Sequence, residues 1–172
     1  MRRGNVYLAG FMGTGKSVVG RALARRLKMT FVDIDAEIAR WSGKSIAEIF
    51  DRHGEPEFRR LESRLVRQVS RGRGQVVALG GGALLKRANR ARLRRTGTIV
   101  RLTCSGRRLW QRLKREIPER PLLNGTAPRA RLRGLIRARK NAYEAALFNV
   151  STTNRTPVEA ARAIAERLED HE

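Results

Sequence analysis

Short apolar runs alternate with segments of helical periodicity along most of this sequence. Five runs of mainly apolar residues predict buried strands, at 6–9, 30–32, 76–79, 98–102 and 148–150. Between them apolar residues recur every three or four positions, as at Phe58, Leu61, Leu65 and Val69, and this spacing predicts helices. The alternation of strands and helices indicates an α/β fold, with a parallel sheet covered by helices on both faces.

Capping and breaking residues set the expected helix boundaries. Ser45 and Glu48 form a capping box before a short helix that Gly54 ends, and Pro157 occupies a favoured first-turn position. The predicted helices run over 18–27, about 36–41, 45–50, 55–69, roughly 84–94, 106–115, 129–147 and from 157 onward. The segment 117–128 is rich in proline and has little periodicity, so we expect it to be irregular. We expect one domain over 1–172.

A phosphate-binding loop is the clearest chemical motif. Residues 10–17, Gly-Phe-Met-Gly-Thr-Gly-Lys-Ser, fit G-x-x-x-x-G-K-[ST] and lie between a predicted strand and a predicted helix. In that setting backbone N–H groups bind phosphate, Lys16 reaches the β- and γ-phosphates, and the Ser17 hydroxyl coordinates Mg²⁺. The alternative is a Gly-rich turn that only links the two elements. Because the motif is complete and in its proper context, we expect a nucleoside triphosphate to bind here.

Two carboxylates and a glycine triplet are expected at the same edge of the sheet. Asp33 and Asp35 follow the second strand, and the three glycines 80–82 follow the third. Folds of this class bind ligands at the carboxyl ends of their strands. One carboxylate would hold Mg²⁺ and the other would orient an acceptor hydroxyl. The structural alternative makes Asp35 a helix cap and Asp33 a solvated turn residue.

Three successive glycines lose side-chain packing and cost chain entropy, which indicates that some group approaches the backbone closely. A flexible turn is the alternative.

Arg59 and Glu62 add a second polar pair, three residues apart on one helix face. A guanidinium held by Glu62 would present its remaining N–H groups to a substrate carboxylate, although the pair taken alone looks like an ordinary surface pair.

Taken in order, these motifs resemble the shikimate kinase family from the first strand to the last helix. The shared motifs are the phosphate loop, Asp33-x-Asp35, Gly43-x-Ser45-Ile46-x-Glu48-Ile49-Phe50, Gly54-Glu55-x-x-Phe58-Arg59-x-x-Glu62, Gly80-Gly81-Gly82 and Arg120-Pro121-Leu122-Leu123. Each motif alone is weak, but the ordered set is highly specific. Ile34 and Leu79 replace threonines that the family often has, and neither change removes a required group.

The resemblance implies a fold, a reaction and a set of site residues. The fold would be the nucleoside-monophosphate-kinase-like P-loop fold, with a five-stranded parallel sheet, a substrate-binding helical region at about 34–62 and a mobile lid at about 115–128. The reaction would transfer the γ-phosphoryl group of ATP to the 3-hydroxyl of shikimate, with Mg²⁺ as cofactor, on the pathway to chorismate and the aromatic amino acids.

The residues implied by the resemblance fall into four groups. Lys16, Asp35 and Arg120 would be catalytic. Those at ATP would be Gly13, Thr14, Gly15, Lys16, Ser17, Val18, Arg120 and Arg155. Those at shikimate would be Asp35, Arg59, Glu62, Gly80, Gly81, Gly82 and Arg139, with the two arginines on the carboxylate. Those at Mg²⁺ would be Ser17 and, through water, Asp33.

The formal charge of +22 raises a different possibility. Residues 61–150 hold 23 of the 38 Lys and Arg residues but only 4 of the 16 Asp and Glu residues. A nucleic-acid-binding protein would explain this excess. However, the chain has no recognisable nucleic-acid module and an aromatic content of only 5%, so base-stacking platforms are not expected. We interpret the basic runs as solvated helix faces, with no specific nucleic-acid partner and weak non-specific binding at low salt.

A related small-molecule kinase of the gluconate or nucleotide type is the other alternative, since it would share the loop and the fold. The pair Arg59 and Glu62, together with the glycine triplet, argues against it. Cys104 is the only cysteine, which excludes an intrachain disulfide and suits a reducing compartment. No apolar run approaches the ~20 residues of a membrane span, and residues 1–4 lead directly into the first strand. We expect a cytoplasmic monomer that binds ATP and shikimate and no membrane.

Overall fold

Five parallel strands form a central sheet in the order β2-β3-β1-β4-β5. The computed structural model describes residues 4–117 and 120–171. The strands are β1 Asn5–Gly10, β2 Thr30–Asp33, β3 Gln75–Ala78, β4 Gly97–Thr103 and β5 Phe148–Ser151. The predicted five-stranded parallel sheet is therefore confirmed.

Helices cover both faces of this sheet. They are α1 Lys16–Leu27, α2 Ile34–Ser42, α3 Ile46–Val69, α4 Arg87–Thr96, α5 Gly106–Leu113, α6 Pro128–Arg139 and α7 Pro157–Glu169. Short 3₁₀ helices occupy Ala83–Leu85, Pro121–Leu123 and Asn141–Ala145. None of the helices in the described part of the chain combines the length and the apolarity that a bilayer crossing needs.

Strand β1 illustrates why this sequence buries both faces of the sheet. All six of its residues are buried. Since side chains alternate along a strand, Tyr7 and Ala9 join the core under α2, α3 and α4, whereas Val6 and Leu8 join the core under α1 and α7. Each face is thus a hydrophobic layer, and the loops that follow the strands are left at one edge.

A smaller third core lies beside the phosphate loop. Its buried members come from the loop, α5, α6 and the 3₁₀ turn between them, and are Phe11, Leu109, Leu113, Leu123 and Leu132. The turn at Pro121–Leu123 is therefore packed at its base on Leu123, which is fully buried. Within 117–128, the described residues include this 3₁₀ turn and Pro128, the first residue of α6, while residues 118–119 lie outside the described residues.

Two predicted helices have different boundaries in the structure. The helix predicted at 129–147 is too long, because α6 ends at Arg139 and a separate 3₁₀ helix follows. The basic helix predicted from about residue 84 starts only at Arg87, after the 3₁₀ turn Ala83–Leu85. Apolar residues in both 3₁₀ turns continue the helical spacing, so periodicity alone does not detect the change of path.

The helices predicted on either side of Gly54 form one kinked element. Gly54 has φ 77° and ψ 174°, which is not helical, and Pro56 follows in the next turn. The capping box of Ser45 and Glu48 is present at the start of this element, and Gly43 ends α2 in a left-handed conformation. The kink sets the first turns of α3 at an angle to the segment that carries Arg59.

Candidate active site

Two adjoining cavities open at the edge of the sheet where the strands end. The larger cavity, of about 620 Å³, is lined by the phosphate loop, the start of α1 and the loops after β2 and β5. The smaller, of about 500 Å³, is lined by the first turns of α3, by Gly81 and Gly82 and by the end of α6. Four residues line both cavities: Met12, Asp35, Gly81 and Arg120. These four make the partition between the two spaces.

The phosphate loop has the backbone shape that anion binding needs. Gly10, Gly13 and Gly15 all have positive φ, at 143°, 78° and 90°. Gly15 caps α1 without any side-chain hydrogen bond, so the first N–H groups of the helix are left for a ligand. A side chain at Gly10 would also meet the carbonyl oxygen of Leu102 and the hydroxyl of Thr14. The sequence folds in this way because only glycine tolerates these angles and this close approach.

Lys16 is held in the loop by backbone carbonyls. Its ammonium donates to the carbonyl oxygens of Gly10 at 3.0 Å and Phe11 at 3.1 Å. Burial lowers the pKa of this ammonium to about 8, against the opposing effect of the carboxylates of Asp35 and Asp33. A polyanionic ligand in the larger cavity would favour the charged form of Lys16.

Asp33 connects the end of β2 with the phosphate loop. Its Oδ1 accepts hydrogen bonds from the backbone N–H groups of Asp35 and Ala36, and its Oδ2 accepts one from the Ser17 hydroxyl at 2.5 Å. Asp33 is therefore the N-cap of α2. The alternative that Asp35 caps this helix, with Asp33 as a solvated turn residue, is wrong.

The pair of Ser17 and Asp33 has the chemistry of a small hard-cation site. A hydroxyl and a carboxylate oxygen are ligands that Mg²⁺ accepts, and it usually takes only one or two protein groups beside phosphate and water. The residues that the structure describes include no group of three or more His, Cys, Asp or Glu side chains suited to a metal ion. The donor set thus fits a cation bound jointly by protein and triphosphate.

Asp35 has no competing structural role. Its Oδ1 is buried and has no hydrogen-bond partner within the described residues. Burial raises the pKa of the Asp35 carboxyl, while the nearby Lys16 ammonium opposes that shift. A buried carboxylate with a free oxygen, on the wall shared by both cavities, is well placed to accept a proton from a bound hydroxyl.

The glycine triplet is approached by the side chains of the site itself. A Cβ at Gly80 would meet the carboxylates of Glu62 and Asp35, and one at Gly82 would meet the guanidinium of Arg59. A Cβ at Gly81 would lie 3.1 Å from Nη1 of Arg139. The triplet therefore lets these polar side chains pack against bare backbone. Gly81 and Gly82 line the smaller cavity, whereas Gly80 is absent from the linings of both cavities.

Arg59 is held by two carboxylates. Its Nη1 donates to Glu62 at 2.9 Å, and its Nη2 and Nε donate to the same oxygen of Glu55 at 2.9 and 3.1 Å. Glu62 is buried behind Arg59 and lines neither cavity, and burial raises the pKa of its carboxyl against the effect of Arg59. The fork expected to be left for a substrate is thus occupied by Glu55, whose side chain is 46% exposed and can be displaced.

Arg139 is a buried cation that has no carboxylate partner in the described part of the chain. It is 3% exposed, its Nη1 donates to the Gly81 carbonyl at 3.1 Å, and its guanidinium lies over the Phe11 ring at 5.3 Å. Among the described residues, no Asp or Glu forms an ion pair with it. Burial lowers the pKa of Arg139. The neighbouring Arg137 and Lys140 are exposed and line neither cavity, so the geometry favours Arg139 as the anion-binding residue.

Two further predicted arginines lie at the larger cavity. Arg120 lines both cavities and donates from Nη2 to Glu116 at 2.7 Å, while its buried Nε has no partner within the described residues. Arg155 is exposed at the rim and donates to the Ser151 carbonyl at 2.9 Å. Gly13, Thr14, Gly15, Ser17 and Val18 line the same cavity.

Sequence reasoning missed Arg112, which ties the phosphate loop to the loop after β5. Its Nη1 donates to the Gly13 carbonyl and its Nη2 to the Thr152 carbonyl, both at 3.0 Å. The Thr152 hydroxyl in turn donates to the Thr14 carbonyl at 2.9 Å. These contacts join residues that are between 40 and 138 positions apart. Arg112 looks like any other basic residue on an amphipathic helix, so no local signal was available.

The apolar wall of the smaller cavity was also missed as part of a site. Phe50 and Phe58 meet with ring centroids 5.0 Å apart, and Ile46 and Leu122 line the same cavity. The helical spacing of these residues predicts core positions, because periodicity does not distinguish a residue that faces a core from one that faces a cavity. This wall would accept the apolar face of a small ring.

Comparison with known proteins identifies close relatives over nearly the whole chain. Residues 12–169 match the shikimate kinase family. A shikimate kinase from Geobacter sulfurreducens is 44% identical over 98% of this chain and 92% of its own length. A shikimate kinase from Acinetobacter baumannii, solved in complex with shikimate, superposes with a TM-score of 0.95 over 99% of this chain and 95% of that one, at 34% identity.

The fold is shared more widely. A gluconokinase from Sinorhizobium meliloti superposes with a TM-score of 0.57 at 20% identity, over 99% of this chain and 97% of the gluconokinase chain. At that level of identity the likeness concerns the fold alone.

Proposed function

Because this chain belongs to the shikimate kinase family, we propose that its larger cavity binds ATP and its smaller cavity binds shikimate. The chain transfers the γ-phosphoryl group of ATP to the 3-hydroxyl of shikimate, giving shikimate 3-phosphate and ADP on the pathway to chorismate. The observation that carries this assignment is that Asp35 and Arg120 line both cavities. A base and a cation are thus available at the point where the two substrates would meet. The gluconate and nucleotide alternatives are not favoured.

The nucleotide half of the site uses preorganised donors. The N–H groups at the start of α1 and the ammonium of Lys16 would bind the phosphates, and Arg120 would approach the transferred group from the partition. Phosphoryl transfer depends mainly on positioning and on neutralising charge, and these groups provide both. Arg155 would lie against the base at the open rim of the cavity.

Mg²⁺ would be held by Ser17 and, through water, by Asp33. The cation, when bound, offsets the negative charge of the triphosphate. The support is the donor set itself, a hydroxyl and a carboxylate oxygen in contact at the mouth of the phosphate loop.

Asp35 would orient the acceptor hydroxyl and take its proton as the new bond forms. Its unpartnered oxygen supports this role, since a buried carboxylate without a donor is an acceptor that a substrate hydroxyl can satisfy. The raised pKa of the carboxyl brings its basicity nearer to neutral pH, which suits proton acceptance.

Arg139 and Arg59 would bind the carboxylate of shikimate, and their contributions differ. Arg139 has no carboxylate partner among the described residues, so an anion would relieve its unpaired buried charge. Arg59 is already neutralised by Glu55 and Glu62, so a substrate carboxylate would have to replace Glu55 on its outer edge. We therefore assign most of the carboxylate affinity to Arg139.

The segment at about 115–128 would act as a lid that excludes water when both substrates are bound. A single cysteine suits a reducing cytoplasm.

A coupled assay of ADP release tests the function directly. ADP should form only when ATP, Mg²⁺ and shikimate are all present, and EDTA should stop it. Gluconate and nucleoside monophosphates serve as matched acceptors. Turnover of either acceptor at a rate equal to that of shikimate would reject the assignment.

A further inference from the structure

A buried tyrosine outside both cavities lies directly behind the residue assigned to the substrate carboxylate. Tyr143 belongs to the 3₁₀ helix that follows α6, is 5% exposed and lines neither cavity. Its hydroxyl donates to the Gly81 carbonyl at 2.7 Å. That carbonyl is also the acceptor for Nη1 of Arg139 at 3.1 Å. Tyr143 and Arg139 are thus joined through one oxygen on the partition.

The Gly81 carbonyl has no support from its own side chain. A glycine is free to rotate its peptide plane, and a carbonyl has two lone pairs that it presents to donors. The tyrosine hydroxyl takes one of these positions, and the guanidinium takes the other. Without the hydroxyl, the Gly81 carbonyl would keep only the hydrogen bond from Arg139 among the described residues, and a bound carboxylate also attracts that guanidinium.

The ring of Tyr143 is itself fixed. The guanidinium of Arg101, on β4, lies over the ring at 4.9 Å from its centroid. Burial raises the pKa of the Tyr143 hydroxyl, so it remains a protonated donor at neutral pH. A series of contacts therefore leads from the sheet through the Tyr143 ring and the Gly81 carbonyl to the Arg139 guanidinium, which faces the smaller cavity.

We propose that Tyr143 is a positioning residue for carboxylate recognition, because its hydroxyl orients the Gly81 carbonyl and through it the guanidinium of Arg139. The inference rests on the proposed assignment of the smaller cavity to shikimate. It concerns the affinity for the acid substrate and leaves the nucleotide half of the site untouched.

The test compares Tyr143→Phe with Tyr7→Phe, which removes the other tyrosine hydroxyl of the chain. Tyr7 is fully buried in β1, and its hydroxyl contacts Asn5 at 2.9 Å and Thr96 at 2.8 Å, away from both cavities. Both variants lose buried hydrogen bonds and should melt at lower temperature. Only Tyr143→Phe should raise KM for shikimate, by about three- to tenfold, with KM for ATP changed less than twofold.

A double-mutant cycle then asks whether Tyr143 acts through Arg139. In an Arg139→Ala background, Tyr143→Phe should change kcat/KM for shikimate by less than twofold, since no guanidinium is left to position. A full, additive loss in that background would overturn the inference. So would an unchanged KM for shikimate in Tyr143→Phe, or equal increases in both KM values.

Two controls keep the outcome readable. If Tyr143→Phe melts below the assay temperature, Arg101→Met replaces it, because this variant frees the ring but keeps the hydroxyl. Arg101→Met should raise KM for shikimate, by a smaller factor, and leave KM for ATP unchanged. An unchanged KM for shikimate in this variant would count against the inference. If the wild-type chain does not turn over shikimate, the proposed function fails first. If the wild type is active and the tyrosine variants match it, only the positioning role fails.

Discussion

At the scale of single residues, Asp35 differs from Asp33 by what its oxygens already do. Asp33 is committed to a helix cap and to Ser17, whereas one oxygen of Asp35 has no partner in the described chain. We expect Asp35→Asn to lower kcat by about 100- to 10,000-fold while ATP still binds, because only the acceptor's proton transfer is lost. Steady-state kinetics and ATP titration measure this. Asp51→Asn, on the exposed face of α3, is the control. A near-normal kcat in Asp35→Asn would contradict the role of Asp35 as proton acceptor.

Substitutions of Arg139 and Arg59 should differ in their effect on stability. Arg139→Ala should raise KM for shikimate by about 10- to 100-fold with little loss of stability, since it breaks no ion pair among the described residues. Arg59→Ala should raise the same KM and also lower the melting temperature, because it leaves Glu62 buried without its partner. Arg137→Ala is the matched exposed control. Equal effects on KM for ATP would contradict the carboxylate assignment.

Lys16 should give the reaction an alkaline limit. Burial lowers the pKa of its ammonium to about 8 in the unliganded protein. As pH rises through that value the ammonium loses its proton and the triphosphate loses a cation, so kcat/KM for ATP should fall above about pH 8. The profile of kcat at saturating ATP should stay flat over the same range, because bound phosphate favours the charged lysine. A flat kcat/KM profile up to pH 9 would contradict this.

At the scale of elements, the kink in α3 separates Ile46 and Phe50, two residues of the apolar wall, from the segment that carries Phe58 and Arg59. Gly54 adopts φ 77° and ψ 174°, a conformation that is essentially limited to glycine. Gly54→Ala should therefore destabilise the fold by about 1–3 kcal/mol and raise KM for shikimate, since the two segments would reorient.

The control for Gly54→Ala is Gly43→Ala. Gly43 has φ 63° and an added Cβ there meets open space, so only the left-handed penalty applies. Thermal melting should detect both changes, whereas KM for shikimate should move only in Gly54→Ala. A similar KM in the two variants would show that the kink does not shape the cavity.

Elements and motifs were predictable where the signal is local, and contacts were not. Spacing and capping residues predict the strands, the phosphate loop, the capping box at Ser45 and the alternation of strands and helices. The role of Arg112 depends on two loops brought together by folding. Glu55 is four residues before Arg59 and Glu62 three residues after it, so the spacing permits either pair and does not show that Arg59 binds both carboxylates. The early end of α6 at Arg139 was missed because the 3₁₀ turn after it keeps a helical pattern of apolar residues.

At the scale of the whole molecule, the charge of +22 remains larger than the site requires. We expect the protein to be retained on immobilised duplex DNA at low salt and released at about 0.2 M salt, because counterion release makes such binding steeply salt-dependent. Adding duplex DNA at 0.15 M salt should leave kcat/KM for shikimate unchanged. Retention that survives high salt would instead indicate a specific nucleic-acid partner.

The partition between the two cavities also indicates what kind of compound would inhibit the enzyme. It is thin, being made of Met12, Asp35, Gly81 and Arg120. A single compound with adenosine at one end and a carboxylated ring at the other would cross it through a short phosphate chain. Tethering makes the second contact intramolecular, so such a compound would bind more tightly than either half by about 100-fold or more. It would also spare P-loop proteins that offer only the nucleotide half.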